Sequence, residues 1–123
     1  MRADLRGLDT ADAPGGDLRA YQPGDAAHFA LAVTASIGAT GETGAELFQF
    51  TVCSPSWLAE DPLPKGFAFL RHTLVVERWD PDIVERAMRD LCLRTEGDNW
   101  NEIAVSLSRF GHWEFEDYRP HDG

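Results

Sequence analysis

The sequence predicts an α+β domain, with an antiparallel sheet of about four to six strands, two C-terminal helices packed on one face and a short terminal strand. Apolar residues alternate strictly over positions 29–37 and again over positions 46–52, which is typical of half-buried strands. From residue 80 to residue 110 the apolar spacing changes to that of helices. Because the strands come before the helices, the order favours an antiparallel sheet covered on one face. The 123 residues are expected to form a single domain, 1–123.

Three strands are predicted in the first half of the chain. They occupy residues 3–8, 28–38 and 45–53. The last two form a long hairpin, since the connection at 38–44 contains three glycines. Ser54 and Pro55 then begin a single helical turn, because serine caps helices and proline fits their first position.

The apolar stretch 67–79 is predicted to form one bent strand or two short ones, after an irregular connection at 61–66. Arg71 and His72 interrupt this stretch. We expect them to pair with Glu77 or with the acidic run at the end of the chain, and so to orient the last segment on the sheet.

Two helices are predicted after the strands. The first begins at Asp80, ends at Gly97 and has apolar residues at helical spacing. The second is capped by Asn99, and Glu102 is placed to reach back to the amide of the cap, as in a capping box. Gly111 is expected to adopt the left-handed conformation that ends a helix.

After Gly111 the sequence has a period of two and is predicted to continue as a strand. One side of this strand would carry Trp113, Phe115 and Asp117. The other side would carry His112, Glu114, Glu116 and Tyr118. The terminal run is therefore interpreted as an apolar anchor with an acidic outer edge.

The charge balance restricts the kinds of partner. The chain has 21 Asp and Glu residues against 11 Lys and Arg residues, which gives a net charge of −10. Such a surface repels phosphate backbones and anionic membranes, so direct binding to nucleic acid or membrane is disfavoured. It attracts basic proteins. The alternative on charge alone is that the carboxylates only keep the protein soluble.

Cys53 and Cys92 each lie in an apolar pattern and are expected to be buried thiols of a reduced, cytoplasmic protein. The N-terminus lacks the pattern of a signal peptide, and no apolar run approaches the length of a membrane span. Both features favour a cytoplasmic location.

The sequence contains no convergent set of catalytic groups, so we expect no enzyme activity, no cofactor and no metal. The glycine-rich connection links two strands, whereas a phosphate-binding loop leads from a strand into a helix. His112, Glu114 and Glu116 would line one face of a strand and could hold a divalent ion. A solvated sheet edge explains that alternation better, and a small metal-binding or enzymatic domain stays as the alternative.

Tryptophans are candidates for binding contacts because they often dominate interfaces. Trp100 and Trp113 lie in apolar patterns and are expected in the core. Trp79 lies where a strand ends, beside Asp80 and Asp82, and is expected to be partly exposed.

Several segments resemble the immunity protein 8 family of bacterial polymorphic toxin systems. They are residues 50–58, 71–77 and 96–97, Trp100 with Glu102, and residues 107–118. The similarity covers most of the chain from about residue 28 onward, and the terminal run is its most distinctive part.

The resemblance implies an antidote that binds the toxin domain of the producing cell or its kin. Many toxins in such systems act on nucleic acids and are basic, which suits an acidic inhibitor that binds stoichiometrically. On physical grounds, the residues expected to contact the toxin are Trp79, Asp80, Asp82, Glu96, Asp98, Glu114 and Glu116. A further alternative is a generic adaptor in a larger complex. The sequence does not indicate an oligomeric state.

Overall fold

A computed structural model describes residues 1–63 and 65–116 of the chain. Within these residues the strands are β1 (Ala3–Asp9), β2 (Ala30–Ala39), β3 (Glu46–Cys53), β4 (Thr73–Val75) and β5 (His112–Trp113). The helices are α1 (Pro55–Glu60), α2 (Pro81–Arg94) and α3 (Trp100–Leu107). Two 3₁₀ turns, Pro14–Gly16 and Leu18–Ala20, shape the connection between β1 and β2. The predicted α+β class is confirmed.

The described strands form one sheet in the order β1-β2-β3-β4. β1 pairs with β2, and β2 with β3, in antiparallel fashion. The outer edge of β3 is shared, because β5 pairs antiparallel with Phe48 and Gln49 while β4 pairs with residues 51–53. The β4 pairing is parallel, because α1 and the connection after it carry the chain back before β4 begins.

The core lies on one face of the sheet. The alternating residues predicted to be buried in β2 and just before it are all buried, namely Phe29, Leu31, Val33, Ala35 and Ile37. They join the inward side chains of β3 and of both long helices in one cluster, which includes Phe48, Phe50, Val84, Met88, Ile103 and Leu107. On the opposite face Ala32, Leu47 and Gln49 stay exposed. The strand periodicity therefore identified the covered face correctly.

Each of the three α-helices begins after a residue whose side chain caps its first turn. Asn99 accepts a hydrogen bond from the amide of Glu102, as predicted. The Glu102 carboxylate instead accepts from the amide of Asp98 at 2.8 Å, one residue before the predicted partner. Ser54 and Asp80 cap α1 and α2 in the same way.

The prediction of a strand over 67–79 is wrong outside Thr73–Val75. The side chains of Phe67 and Phe69 are 68% and 98% exposed, so their apolar character does not reflect burial. A longer β4 would need more of the β3 edge, and β5 already occupies it at Phe48 and Gln49.

The predicted helix ends are also wrong. α2 ends at Arg94 and not at Gly97. Gly111 does not have the predicted left-handed backbone. A Cβ atom at Gly111 would lie 3.1 Å from Cβ of Phe48, so the glycine allows the segment before β5 to approach β3 closely. Phe110, placed by helical spacing on the core face, is 52% exposed because α3 has ended at Leu107.

The terminal strand is shorter than predicted. β5 covers only His112 and Trp113, and the amide of Glu116 then closes a turn onto the carbonyl of Trp113 at 2.9 Å. The alternating faces predicted for residues 114–116 therefore do not form. The predictions for Asp117 and Tyr118 fall outside the described residues.

Both cysteines are buried free thiols, as predicted. Burial raises the pKa of the Cys92 thiol to about 11, and burial also raises the pKa of Cys53. Both thiols are therefore neutral packing groups at ordinary pH. Of the helices in residues 1–63 and 65–116, none is long and apolar enough to cross a membrane.

Candidate functional site

The residues predicted to contact a partner are separated into groups by α2. Trp79, Asp80 and Asp82 lie at its start, whereas Glu96 and Asp98 follow its end. A helix of 14 residues is about 20 Å long, so these two groups lie at opposite ends of the molecule's longest helix within the described residues. The predicted contacts do not form one continuous patch.

Trp79 is half-buried and packs against the core, in agreement with its predicted partial exposure. Its ring meets Tyr21 edge-to-face at 5.0 Å between centroids and Phe29 at 5.4 Å. The indole therefore closes one end of the core while leaving part of its surface accessible.

The carboxylates near Trp79 already have partners within the chain. Asp80 caps α2 by accepting from the amide of Asp82 at 2.9 Å. Asp82 lies 2.6 Å from Nη2 of Arg19, and this hydrogen bond and the charge of Asp82 raise the pKa of Arg19. Much of the negative charge at the start of α2 is therefore compensated internally.

The other end of the sheet is organised by Glu46 and Trp100. The indole Nε1 of Trp100 donates to both carboxylate oxygens of Glu46, each at 2.8 Å. This contact fastens the first turn of α3 to the beginning of β3. Trp100 is half-buried, and Trp113 is too, so both predicted core tryptophans lie at the border of the core.

Further carboxylates lie on or beside the elements that this contact joins. Glu114 accepts from the amide of Leu47, the neighbour of Glu46, at 3.0 Å. Glu42 lines a cavity shared with Glu46 and Trp100. Asp98 and Glu102 lie two residues before and two residues after Trp100, and the amide of Asp98 donates to the carboxylate of Glu102. We name this set the hairpin-end carboxylates, comprising Glu42, Glu46, Asp98, Glu102 and Glu114.

The hairpin-end carboxylates differ from most other carboxylates near α2 in their ion pairing. Within residues 1–63 and 65–116 none of the five forms an ion pair. Glu96 differs, because Arg2 lies 3.7 Å from its carboxylate. Arg6 is also near, but it is engaged by Asp4 and by the carbonyls of Ala39 and Glu42. Within the described residues, the set thus presents negative charge that no ion pair offsets.

A shallow cavity of about 290 Å³ lies between the hairpin and Trp100. Its lining consists of Gly38, Ala39, Glu42, Thr43, Gly44, Ala45, Glu46 and Trp100. An accessible indole beside carboxylates suits the guanidinium of arginine or the ammonium of lysine, which bind both aromatic faces and anions. The cavity can therefore receive a basic side chain.

The alternative metal site is not assembled in the structure. Nδ1 of His112 lies 3.4 Å from Oε2 of Glu116, across the turn that follows β5. Glu114 instead turns to the amide of Leu47. In the part of the chain that the structure describes, no three His, Cys, Asp or Glu side chains are grouped closely enough to hold a metal ion.

Glu116 also differs from its predicted role. Its side chain is only 23% exposed and faces His112. It was predicted on the open side of a strand, but the turn after Trp113 directs it inward. Of the two terminal glutamates, Glu114 lies at the hairpin end and Glu116 does not join it.

His72 orients the terminal segment, as predicted, but not through a carboxylate. Its ring stacks on His112 with centroids 6.0 Å apart and an interplanar angle of 2°. Its Nε2 lies 2.8 Å from the carbonyl oxygen of Ser108. Within residues 1–63 and 65–116, neither Arg71 nor His72 forms the predicted ion pair with Glu77, Glu114 or Glu116. The acidic run from Asp117 onward lies outside the described residues.

Sequence reasoning missed Glu42, Glu46, Glu102 and Trp100 as surface candidates. One signal was present in the sequence. Glu46 occupies an inward position of the β3 alternation, opposite the buried Ile37. A charged residue at an inward position requires a partner, and here it is the indole of Trp100.

The immunity protein 8 family model matches residues 3–118, nearly the whole chain. The chain belongs to the immunity protein 8 family. The match extends the resemblance to β1 and confirms it over the terminal run. Membership places the chain among immunity proteins, which act against toxins. Comparisons with curated proteins and with solved structures gave no match.

Proposed function

We propose that this immunity protein neutralises a secreted toxin domain in the cytoplasm by forming a stoichiometric complex with it, without catalysing a reaction. Family membership supports a toxin as the partner. The observation that carries the proposed interface is the set of hairpin-end carboxylates, which form no ion pair within residues 1–63 and 65–116. A basic face on the toxin would complement them.

Electrostatics accounts for both the approach and the specificity of such a complex. A net charge of −10 accelerates the encounter with a positively charged protein and disfavours acidic competitors. Once the two proteins touch, Trp100 supplies apolar contact area next to Glu46, which fixes the orientation of the indole.

A toxin that acts on nucleic acid would present the required basic face, because it must bind phosphates. The hairpin-end carboxylates would occupy the positions that phosphates otherwise take, and the substrate would be excluded. We propose that Glu96 supports this contact less, because Arg2 offsets its charge. Trp79, Asp80 and Asp82 are proposed as a secondary contact at the far end of α2.

Charge reversal tests this interface. The double variant Glu42→Lys/Asp98→Lys changes two exposed side chains that have no ion pair within residues 1–63 and 65–116. We expect its dissociation constant for the toxin domain encoded beside this chain's gene to rise about tenfold or more, with a weaker dependence on salt. Isothermal titration calorimetry at several salt concentrations measures both quantities.

The matched control is Asp12→Lys/Asp61→Lys, which alters net charge equally at exposed positions away from the hairpin end. If both double variants lose affinity equally, net charge and not the hairpin-end carboxylates governs binding. If neither loses affinity, the proposed interface is wrong even where the toxin binds.

A further inference from the structure

A second surface lies at the outer edge of β4. Within residues 1–63 and 65–116, β4 pairs only with β3, so its other edge has no strand beside it. Such an edge presents unpaired backbone amides and carbonyls, which can bind an extended segment of another protein.

The backbone bonds show which groups point outward. The carbonyl of His72 accepts from the amide of Thr51 at 2.8 Å, and the amide of Val76 donates to the carbonyl of Cys53 at 2.9 Å. Because alternate residues of a strand direct their backbone groups to opposite sides, Thr73 and Val75 direct theirs away from β3. The outer edge therefore offers two amides and two carbonyls.

Apolar side chains accompany this edge. A cavity of about 390 Å³ runs along it, between β4 and the end of α3. We name it the β4 groove, lined by Leu70, Arg71, His72, Thr73, Val75, Arg109 and Phe110. Leu70, Val75 and Phe110 are each about half exposed, and Phe69 nearby is almost fully exposed. Such a group of exposed apolar side chains marks a binding surface.

The β4 groove is basic, in contrast to the rest of the chain. Arg71 and Arg109 both line it, and neither forms an ion pair within residues 1–63 and 65–116. Five other arginines are paired with carboxylates, whereas Arg78 and Arg86 also have no ion pair within residues 1–63 and 65–116; the paired ones are Arg2, Arg6, Arg19, Arg89 and Arg94. The charge of the groove complements an acidic ligand.

His72, at the centre of the groove, is held by contacts with two other segments. His72 has a φ of 53°, a left-handed backbone conformation that costs a bulky residue of order 1–3 kcal/mol. The contact of its Nε2 with the carbonyl of Ser108 and its stacking on His112 keep it there. These contacts connect the segment that carries Arg71 and Thr73 to the end of α3 and to β5.

We infer that the β4 groove binds an extended segment of the toxin protein that carries carboxylate and apolar side chains, and that this segment adds to the sheet beside β4. The amides and carbonyls of Thr73 and Val75 bind its backbone, while Arg71 and Arg109 bind its carboxylates. This inference rests on the proposed function, because the segment belongs to the protein that the chain neutralises.

A second copy of the chain fits the groove less well. Each copy has a net charge of −10, so two copies repel each other. β4 has only three residues, and the few backbone bonds of so short an edge provide little to offset that repulsion.

Two variants test the groove by independent routes. Val75→Pro removes an outward amide without removing a bond to β3, and proline is tolerated at such an edge position. Its control is Val75→Thr, which keeps the amide and the branched side chain. Arg71→Glu/Arg109→Glu reverses the charge of the groove, and its control, Arg78→Glu/Arg86→Glu, reverses two exposed arginines elsewhere that also lack ion pairs in residues 1–63 and 65–116.

The probe is the toxin domain encoded beside this chain's gene, with affinity measured by calorimetry and folding checked by circular dichroism. We expect Val75→Pro and the groove charge reversal each to weaken binding tenfold or more, and both controls to stay within about twofold. The charge reversal leaves the backbone unchanged, so it decides the question if Val75→Pro does not fold.

Two results overturn the inference. In one, the groove charge reversal binds the toxin domain as tightly as its control, which leaves the proposed function standing. In the other, sedimentation shows a wild-type dimer that Val75→Pro converts to monomers of unchanged toxin affinity. If the wild-type chain does not bind the toxin domain at all, the proposed function is wrong, and the inference that rests on it is wrong as well.

Discussion

At the scale of single residues, His72 connects three parts of the molecule. It precedes β4, contacts the end of α3 through Ser108, and stacks on His112 of β5. Its left-handed backbone is unfavourable for a residue with a Cβ atom. The surrounding contacts must offset that cost, so His72 is a position where side-chain and backbone effects oppose each other.

Substitutions at His72 separate the two effects. His72→Ala loses the contact with Ser108 and keeps the backbone strain, so we expect it to lower the free energy of unfolding by about 1–2 kcal/mol. His72→Gly loses the same contact but accepts the left-handed conformation freely, so it should be more stable than His72→Ala by roughly 0.5–1 kcal/mol. Urea denaturation measures both. A glycine variant no more stable than the alanine variant would contradict this explanation.

At the scale of elements, the contact between Glu46 and Trp100 joins the β2–β3 hairpin to α3. It is a charge-assisted hydrogen bond at a partly buried position, and such bonds contribute more than neutral ones. It also fixes the carboxylate of Glu46, one of the hairpin-end carboxylates, against α3.

Replacing Glu46 tests how strongly this contact joins the two elements. Glu46→Ala leaves the indole Nε1 without its acceptor, and we expect the free energy of unfolding to fall by about 1.5–3 kcal/mol. Glu46→Gln keeps an acceptor oxygen and should cost less than half as much. Chemical denaturation followed by tryptophan fluorescence measures both changes. Equal losses in the two variants would show that the charge of Glu46, and not the hydrogen bond, provides the stabilisation.

The helices and strands also show which features of the fold can be predicted from the sequence. The alternation in β2 and β3 and the caps at Ser54, Asp80 and Asn99 depend on neighbouring residues, and they were predicted correctly. The short length of β4 depends on β5 taking part of the β3 edge, from a segment about 40 residues away. No local pattern contains that information.

At the scale of the whole molecule, the fold places opposite charges at two separate surfaces. The hairpin-end carboxylates lie at the start of β3, whereas the β4 groove with Arg71 and Arg109 lies beside the end of β3. The net charge of −10 is a sum over the whole chain, so it does not show that one surface is acidic and the other basic. Two complementary surfaces would fix both the position and the orientation of a bound toxin.

The candidate site was predicted only in part for the same reason. Asp98 and Glu114 were identified from acidic clusters in the sequence. Glu114 bonds to the amide of Leu47 in the hairpin, and Asp98 lies two residues before Trp100, which contacts Glu46. Glu42 and Glu46 joined them only when the hairpin brought residues 42–46 next to α3. Trp79, Asp80 and Asp82 lie at the opposite end of α2 from Asp98. The helix predicted from Asp80 to Gly97 already implied this separation, because each helical residue adds about 1.5 Å.

The central claim is that this chain neutralises a toxin by occupying it and not by modifying it. Titration of the purified toxin domain's activity with this chain, followed by separation of the two under denaturing conditions and refolding of the toxin, tests that claim most directly. We predict that inhibition is complete at about one molar equivalent and that the recovered toxin is fully active. Inhibition by a small fraction of an equivalent, or a recovered toxin that stays inactive, would contradict the account.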